Sequence, residues 1–308
     1  LRPPGNLFAA MPDPHWTLDD LRREIDEIDD EMHDLLMRRT TVVDAIGALK
    51  KSDGVPAIRP GREATILRRL IARHDGKFPR ALVVRIWREI LSGTTRLQVD
   101  FAVAVHVPES APGLWDLARD HFGSCTPMTA FSTASQVLRA VTEGGASVGV
   151  LPLPQDGDSD PWWPHLVSAD VQGPRVVARL PFASPGNARA GGLDALAIGR
   201  GAPEPTGADR SMLVIDTNRE ISRTRLFSVL KTGGLEPNFL AAVASAPDAA
   251  ANLIELEGLV SPEDALLQKA LVPLGAAVDR VSFLGSYARP LTVEELAGSR
   301  KASARKRG

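Results

Sequence analysis

Apolar residues at Leu18, Leu21, Ile25, Ile28, Met32, Leu35, Val42, Ile46 and Leu49 fall on one three-then-four spacing, the seam of a helix that packs against other helices. Thr17 and Asp20 read as an N-terminal capping box, and the seam then predicts a helix of about 33 residues, roughly 50 Å long. The turn sequence SDGVP ends it. Pro60 and Pro79 stand at the expected first positions of two shorter helices, PGREATILRRLIARH and PRALVVRIWREILSGTTRLQ. Residues 17–98 therefore predict an all-α unit of three helices, one much longer than the others. Two short partners cannot cover a seam of that length, so the pattern predicts an intertwined homodimer.

After Gln98 the pattern changes to short alternating runs. FAVAVHV (101–107), SVGVLPL (147–153), RVVARLPF (175–182) and LDALAIG (193–199) predict strands, with helices near 113–121 and 133–142. Residues 99–201 thus read as an α/β segment. PQDGDSDPWWP and ASPGNARAGG are Pro/Gly-rich loops within it, and APEPTGA (202–208) reads as a linker. From Asp209 to about residue 290 the order is β, α, β, β, α, β, that of an α+β ferredoxin-like sandwich. Residues 297–308 are basic, lack apolar anchors and are expected to be disordered.

Composition narrows the function classes. The chain has 308 residues, 44% hydrophobic and 24% charged, with a formal net charge of -2. No basic field points to nucleic acid, and no apolar run is long enough to span a bilayer. The single cysteine, Cys125, can form neither an internal disulfide nor a cysteine-based metal site. It is expected as a buried apolar thiol in a cytoplasmic protein, since the opening residues carry no secretory signal. The histidines have no metal-ligand spacing, and the glycines follow no phosphate-loop order. Trp162 and Trp163 are expected to be partly buried in their loop, with a binding lip as the alternative.

One position in the long seam is not apolar: Arg39. Lys50 lies three turns further and only about 20° away around the axis, so the two cations share a face. Arg22 lies about 25 Å before Arg39 and roughly 100° away, too far for one small ligand on the same helix. In an antiparallel dimer, Arg22 of one chain can approach Arg39 and Lys50 of the other. Arg62 and Glu63 at the start of the second helix, with Thr94 and Gln98 at the end of the third, can join them. Taken alone, Arg39 reads first as a specificity element paired with a nearby carboxylate; it is the set, not the residue, that points to a ligand.

This set resembles the all-helical chorismate mutases, and in particular their fusions to prephenate dehydratase. The resemblance covers residues 17–98 without a gap from Arg22 through Glu63. The family's ligand-binding pattern is met by Arg22, Arg39, Lys50, Arg62, Glu63 and Gln98, with Thr94 where bacterial members often have Ser. Arg59 departs, standing where some members have Asp. The resemblance implies rearrangement of chorismate to prephenate by an intramolecular pericyclic step that needs no metal or cofactor. It assigns Arg39, Arg62 and the partner chain's Arg22 to the two carboxylates, and Lys50 and Gln98 to the ether oxygen. Glu63 would accept from the ring hydroxyl, and Thr94 would donate to a carboxylate.

Residues 120–153 resemble the first lobe of a prephenate dehydratase, but that family's Pro-Ile-Glu-Asn-Ser motif is replaced by Pro152, Leu153, Pro154, Gln155 and Asp156. Its Thr-Arg-Phe motif is replaced by Leu193, Asp194 and Ala195, and no room is left for a second lobe. No dehydratase activity is expected. Leu284, Gly285, Ser286 and Tyr287 resemble a signature of the ACT domain. That domain's Gly-Ala-Leu-Val and Glu-Ser-Arg-Pro ligand motifs align with Ser222, Arg223, Thr224 and Arg225, and with Ala244, Ser245, Ala246 and Pro247. A dimer-forming module without a ligand is expected there; an altered site for an aromatic amino acid effector is the alternative. For the whole chain, the rivals are a bifunctional mutase/dehydratase and a non-catalytic sensor of an aromatic metabolite.

Overall fold

A computed structural model describes residues 16–53, 58–167, 173–183, 186, 189 and 192–297, the side chains of 51–53 excepted. The basic tail from residue 298, the opening residues and much of the ASPGNARAGG loop lie outside them. Two compact units divide the chain between Val55 and Pro56.

The first unit is helix α1 (Leu18–Asp53), 36 residues long. The capping box is present: the Asp20 amide donates to Thr17 Oγ1 at 3.2 Å, and the Thr17 amide donates to Asp20 Oδ2 at 2.9 Å. Asp19 and Asp20 in the first turn also complement the helix dipole. The seam residues Leu18, Ile25, Ile28, Met32, Leu35, Val42, Ile46 and Leu49 are all exposed.

The second unit opens with α2 (Pro60–Arg73) and α3 (Arg80–Gln98). Pro60 sits in the first turn of α2, where its missing N–H is no loss. Pro79 instead precedes α3 in extended backbone, its carbonyl accepting from Leu82 and Val83. Ala64, Leu67 and Ile71 of α2 pack against Val83, Val84 and Leu91 of α3, with Phe182 and Leu291 from much later in the chain.

The rest of the unit is built on one nine-stranded sheet. Its first part contains β1 (Val103–His106), α4 (Gly113–Phe122), β2 (Met128–Phe131), α5 (Ala134–Thr142), β3 (Val148–Pro152), β4 (Arg175–Leu180) and β5 (Ala195–Gly199). β1 lies between β2 and β3 and is parallel to both; β5 then pairs antiparallel with β3 and β4. The second part contains β6 (Asp209–Asn218), α6 (Arg223–Thr232), β7 (Pro237–Ala246), β8 (Ala249–Glu257), α7 (Ala265–Leu271) and β9 (Val278–Ala288). A short helix, α8 (Val293–Ala297), follows. The order β9-β6-β8-β7 with antiparallel pairing is the ferredoxin-like arrangement. Alternation along β6 is strict in its use: Leu213 and Ile215 pack under α6 and α7, while Met212 and Val214 join the core on the other face.

In the sheet the two parts are joined by the parallel pair Val176 with Gly285 of β4 and β9, a second parallel bridge links Ala183 to Leu291, and one core shared by both parts packs around them. A Cβ at Gly285 would lie 2.2 Å from the Val176 carbonyl oxygen, and its φ of +144° also suits glycine alone. Beside this joint the buried Glu255 carboxylate accepts from Tyr287 and Asn238 and pairs with Arg179 and Arg210. Arg179 also holds Asp194 at 2.7 Å.

Several expectations change. β2 is an edge strand, exposed at its middle, so it lacks the apolar alternation that marks the others. Cys125 is exposed, not buried, because it lies in the turn between α4 and β2. Trp162 and Trp163 are fully buried, Trp162 Nε1 donating to the Pro152 carbonyl at 3.0 Å, so neither forms a lip. Residues 204–208 do not hang as a bare linker. Arg68 of α2 donates to Thr206 Oγ1 and to the Ala208 carbonyl, and also to the Arg289 carbonyl, fastening this segment to the helix.

Candidate functional site

Helix α1 carries Arg22, Arg39 and Lys50. Arg22 is exposed and pairs with Asp19 one turn earlier at 3.2 Å. Arg39 and Lys50 are half-buried, on the shared face that their spacing requires. Burial lowers the pKa of the Arg39 guanidinium, so this cation is partly desolvated rather than lying in open water.

The other candidates lie on the second unit. Arg62 and Glu63 occupy the first turn of α2; Thr94 and Gln98 occupy the last turns of α3. The Thr94 hydroxyl donates to the Ile90 and Leu91 carbonyls at 2.9 and 3.0 Å, and Gln98 Nε2 donates to the Thr94 carbonyl at 3.2 Å. Thr94 and Gln98 are thus held together at one helix end. Arg22, Arg39 and Lys50 share a helix in the other unit, as their positions in the chain dictate.

Two residues outside the expected set shape the α2 end of the site. Arg88 of α3 is buried and holds Glu63 Oε2 at 2.8 Å. Burial pulls its pKa down, and the Glu63 carboxylate partly restores it. Its Cζ lies 5.1 Å from the Phe182 ring centroid, a desolvated cation over an aromatic face. A signal for it was present in the sequence. Val84, Arg88 and Leu91 repeat on the buried stripe of α3 the interruption that Arg39 makes in α1.

Glu204 is the second. Its Oε2 accepts from the Arg62 amide at 3.2 Å, and its Oε1 pairs with Arg59 Nε at 2.5 Å. A carboxylate at the positive end of a helix satisfies an amide that has no partner within the helix. Gly61 makes this approach possible, since a Cβ there would lie 2.8 Å from Glu204 Cβ. The departure noted at Arg59 is thereby given a partner within the chain. No local spacing could have indicated it, with the pair 145 positions apart in the chain.

At the aligned ACT motifs, Ser222 caps α6, its hydroxyl accepting from the Arg225 amide at 3.2 Å. Arg223 stacks 3.7 Å from the Phe239 ring centroid and pairs with Asp156 at 2.8 Å. Asp156 also accepts from the Ala242 amide on β7. The protein's own side chains therefore occupy the surface where the first of those motifs lies.

Among the described residues, no helix is long and apolar enough to cross a membrane. Residues 21–99 match the family model described as chorismate mutase type II. Two similar proteins are described as bifunctional chorismate mutase/prephenate dehydratase. One, from Aquifex aeolicus, is 33% identical over 44% of this chain and 38% of its own length. The other, from Pseudomonas aeruginosa, is 28% identical over 43% of this chain and 38% of its own. The matched part of the chain thus spans well under half of either relative. A solved prephenate dehydratase from Arthrobacter aurescens, in complex with L-Phe, is 14% identical, covers 63% of this chain and 93% of its own, and has a TM-score of 0.42. A structure described as a quorum quenching acylase is 16% identical over 62% of this chain and 95% of its own, with a TM-score of 0.45. At those scores neither supports an argument. It is the N-terminal helices that carry an identity: residues 21–99 are a chorismate mutase domain of type II.

Proposed function

We propose that this protein is a chorismate mutase, converting chorismate to prephenate in aromatic amino acid biosynthesis. The observation that carries the proposal is the family match over residues 21–99, within which Arg22, Arg39, Lys50, Arg62, Glu63, Thr94 and Gln98 all lie on the helices. A pericyclic rearrangement requires no nucleophile and no proton transfer. The protein lowers the barrier by selecting the compact conformer and by stabilising charge on the breaking ether oxygen. Arg39 and Arg62, with Arg22 from a second copy, hold the carboxylates in the bidentate geometry that favours Arg. Lys50 and Gln98 donate to the ether oxygen, Glu63 accepts from the ring hydroxyl, and Thr94 donates to a carboxylate. Arg88 and Glu204 act behind this set, fixing Glu63 and the start of α2.

The dimer in this reading forms along the exposed seam of α1, a row of apolar side chains that a second copy would cover. The ferredoxin-like part is an ACT-like module, and the setting is cytoplasmic. The relatives' second activity is not carried over. β4 and β5 are antiparallel neighbours in one sheet, and the connection from Leu180 to Ala195 is too short to hold a second lobe. The test is turnover of chorismate and of prephenate on one sample. Prephenate accumulates and is not consumed, and Lys50→Ala lowers the mutase rate by at least about a hundredfold, the loss typical of one donor to a developing oxyanion. Unchanged chorismate with the intact protein overturns the reading.

A further inference from the structure

Helix α2 grips the segment from Glu204 to Asp209 at two points. At the helix start, Glu204 accepts from the Arg62 amide and pairs with Arg59. Six residues after Arg62, about 9 Å along the axis, Arg68 takes hold of the other end. Its Nη1 donates to Thr206 Oγ1 at 2.7 Å, and its Nη2 donates to the Ala208 and Arg289 carbonyls at 2.8 and 2.7 Å. Those carbonyls belong to the ends of neighbouring strands: Ala208 leads into β6, Arg289 follows β9, and Asp209 and Ala288 are paired in the sheet. The Arg289 amide also donates to the Ala208 carbonyl, and the buried Asp209 carboxylate accepts from the Thr206 and Gly207 amides at 2.8 and 3.2 Å. One side chain of α2 is thereby tied to the end of the β6–β9 pair.

The two grips are unequal. Arg59 and Glu204 are both partly exposed, and an ion pair in that setting holds its partners weakly on its own. What keeps the Glu204 carboxylate at the first turn of α2 is the fixed backbone behind it, and Arg68 fixes that backbone. Without this anchor the Arg62 amide would lose its acceptor and Arg59 its counter-charge. Glu63 does not lean on the clasp, because Arg88 holds it from α3.

We propose that Arg68 is a positioning residue for the mutase reaction, holding Arg62 in place through Glu204–Ala208 and so making substrate affinity depend on the ferredoxin-like part. This rests on the mutase reading. Arg62 is assigned there to a carboxylate that the substrate carries unchanged through the rearrangement. Loosening Arg62 therefore weakens ground state and transition state alike, so KM rises and kcat holds. A merely structural lesion does the reverse: partial unfolding removes active molecules, which lowers apparent kcat and leaves KM where it was.

Chorismate turnover is measured across substrate concentration for the full-length chain and for Arg68→Ala, Thr206→Val and Arg85→Ala, with thermal melts to show which remain folded. Arg68→Ala is expected to raise KM at least about tenfold with kcat within about twofold. Thr206→Val, which removes one of the three Arg68 bonds, is expected to raise KM about threefold. Arg85→Ala breaks an ion pair between α3 and α4, leaves the clasp intact and is expected to keep the parent KM. If Arg68→Ala does not fold, Thr206→Val decides. Unmoved KM in a folded, active clasp variant, a fall in kcat alone, or an equal rise in KM for Arg85→Ala overturns the proposal while the mutase reading stands. A parent chain that leaves chorismate unchanged overturns both.

Discussion

Helix α1 and the pair α2–α3 come from the same matched segment and carry the same kind of amphipathic pattern, yet they spend it differently. In α2 and α3 the apolar stripe is buried within its own chain, against residues as distant as Phe182 and Leu291. In α1 the stripe is longer and remains exposed from Leu18 to Leu49. Each stripe is interrupted by one arginine. Arg88 is answered within its unit by Glu63 and by the Phe182 ring. Arg39 is half-buried on a helix whose apolar neighbours still face water. The same sequence device thus yields an internal brace in one place and sits beside an exposed apolar row in the other.

The sharpest break in this comparison is a pair of charges on the seam. Met32→Glu with Leu35→Glu keeps good helix formers in α1 and is expected to convert a dimer to a folded monomer in sedimentation velocity, with chorismate turnover lost as Arg22 is withdrawn. A dimer that survives would show that the seam is not the interface. On the buried stripe, Leu67→Ala is expected to cost about 2–5 kcal/mol in urea unfolding with the oligomeric state unchanged. A loss under about 1 kcal/mol would mean that α2 is not anchored as its burial implies.

Next in size is a dependence on pH. His121, buried beside Arg88, is held neutral in the folded chain well below its ordinary pKa of 6.5. The unfolded chain therefore binds the extra proton first as pH falls through 6.5. Its contribution to stability is present above that pH and is lost below it, at up to about 1.4 kcal/mol per pH unit. His121→Leu should flatten this slope between pH 6.5 and 5.5, as read from urea midpoints. The smallest effect is expected at the α2 start, where Glu204→Ala removes a partly exposed cap and should cost about 0.5–1 kcal/mol in the same measurement.

Local periodicity made the three helices, four of the first five strands and the whole βαββαβ order legible, because each of these elements announces itself within its own few residues. The seam residues were legible for the same reason, whereas the seven candidate site positions came from the resemblance to the chorismate mutases. What stayed hidden depends on distant partners. Arg88 was readable as a cation on an apolar stripe, but its role needed Phe182, and Glu204 reads as loop until it is seen against Gly61. β2 was missed because an exposed edge strand needs no alternation. Residues 202–208 do run as irregular backbone between β5 and β6, but Gly and Pro mark irregularity, not detachment; Arg68 secures this segment through three hydrogen bonds, two of them within it.

The joint between Val176 and Gly285 bears on how this chain can evolve. A surface segment such as Ser222–Arg225 can exchange side chains one at a time, since its exposed side chains cap a helix and stack on a neighbour rather than pressing on the backbone of an adjoining strand. Gly285 has no such neighbours in sequence space. Every single substitution there drives a carbon into the backbone of the adjoining strand. Drift can therefore erase the chemistry of the ferredoxin-like part while the glycine that welds it to the rest of the sheet stays locked in place.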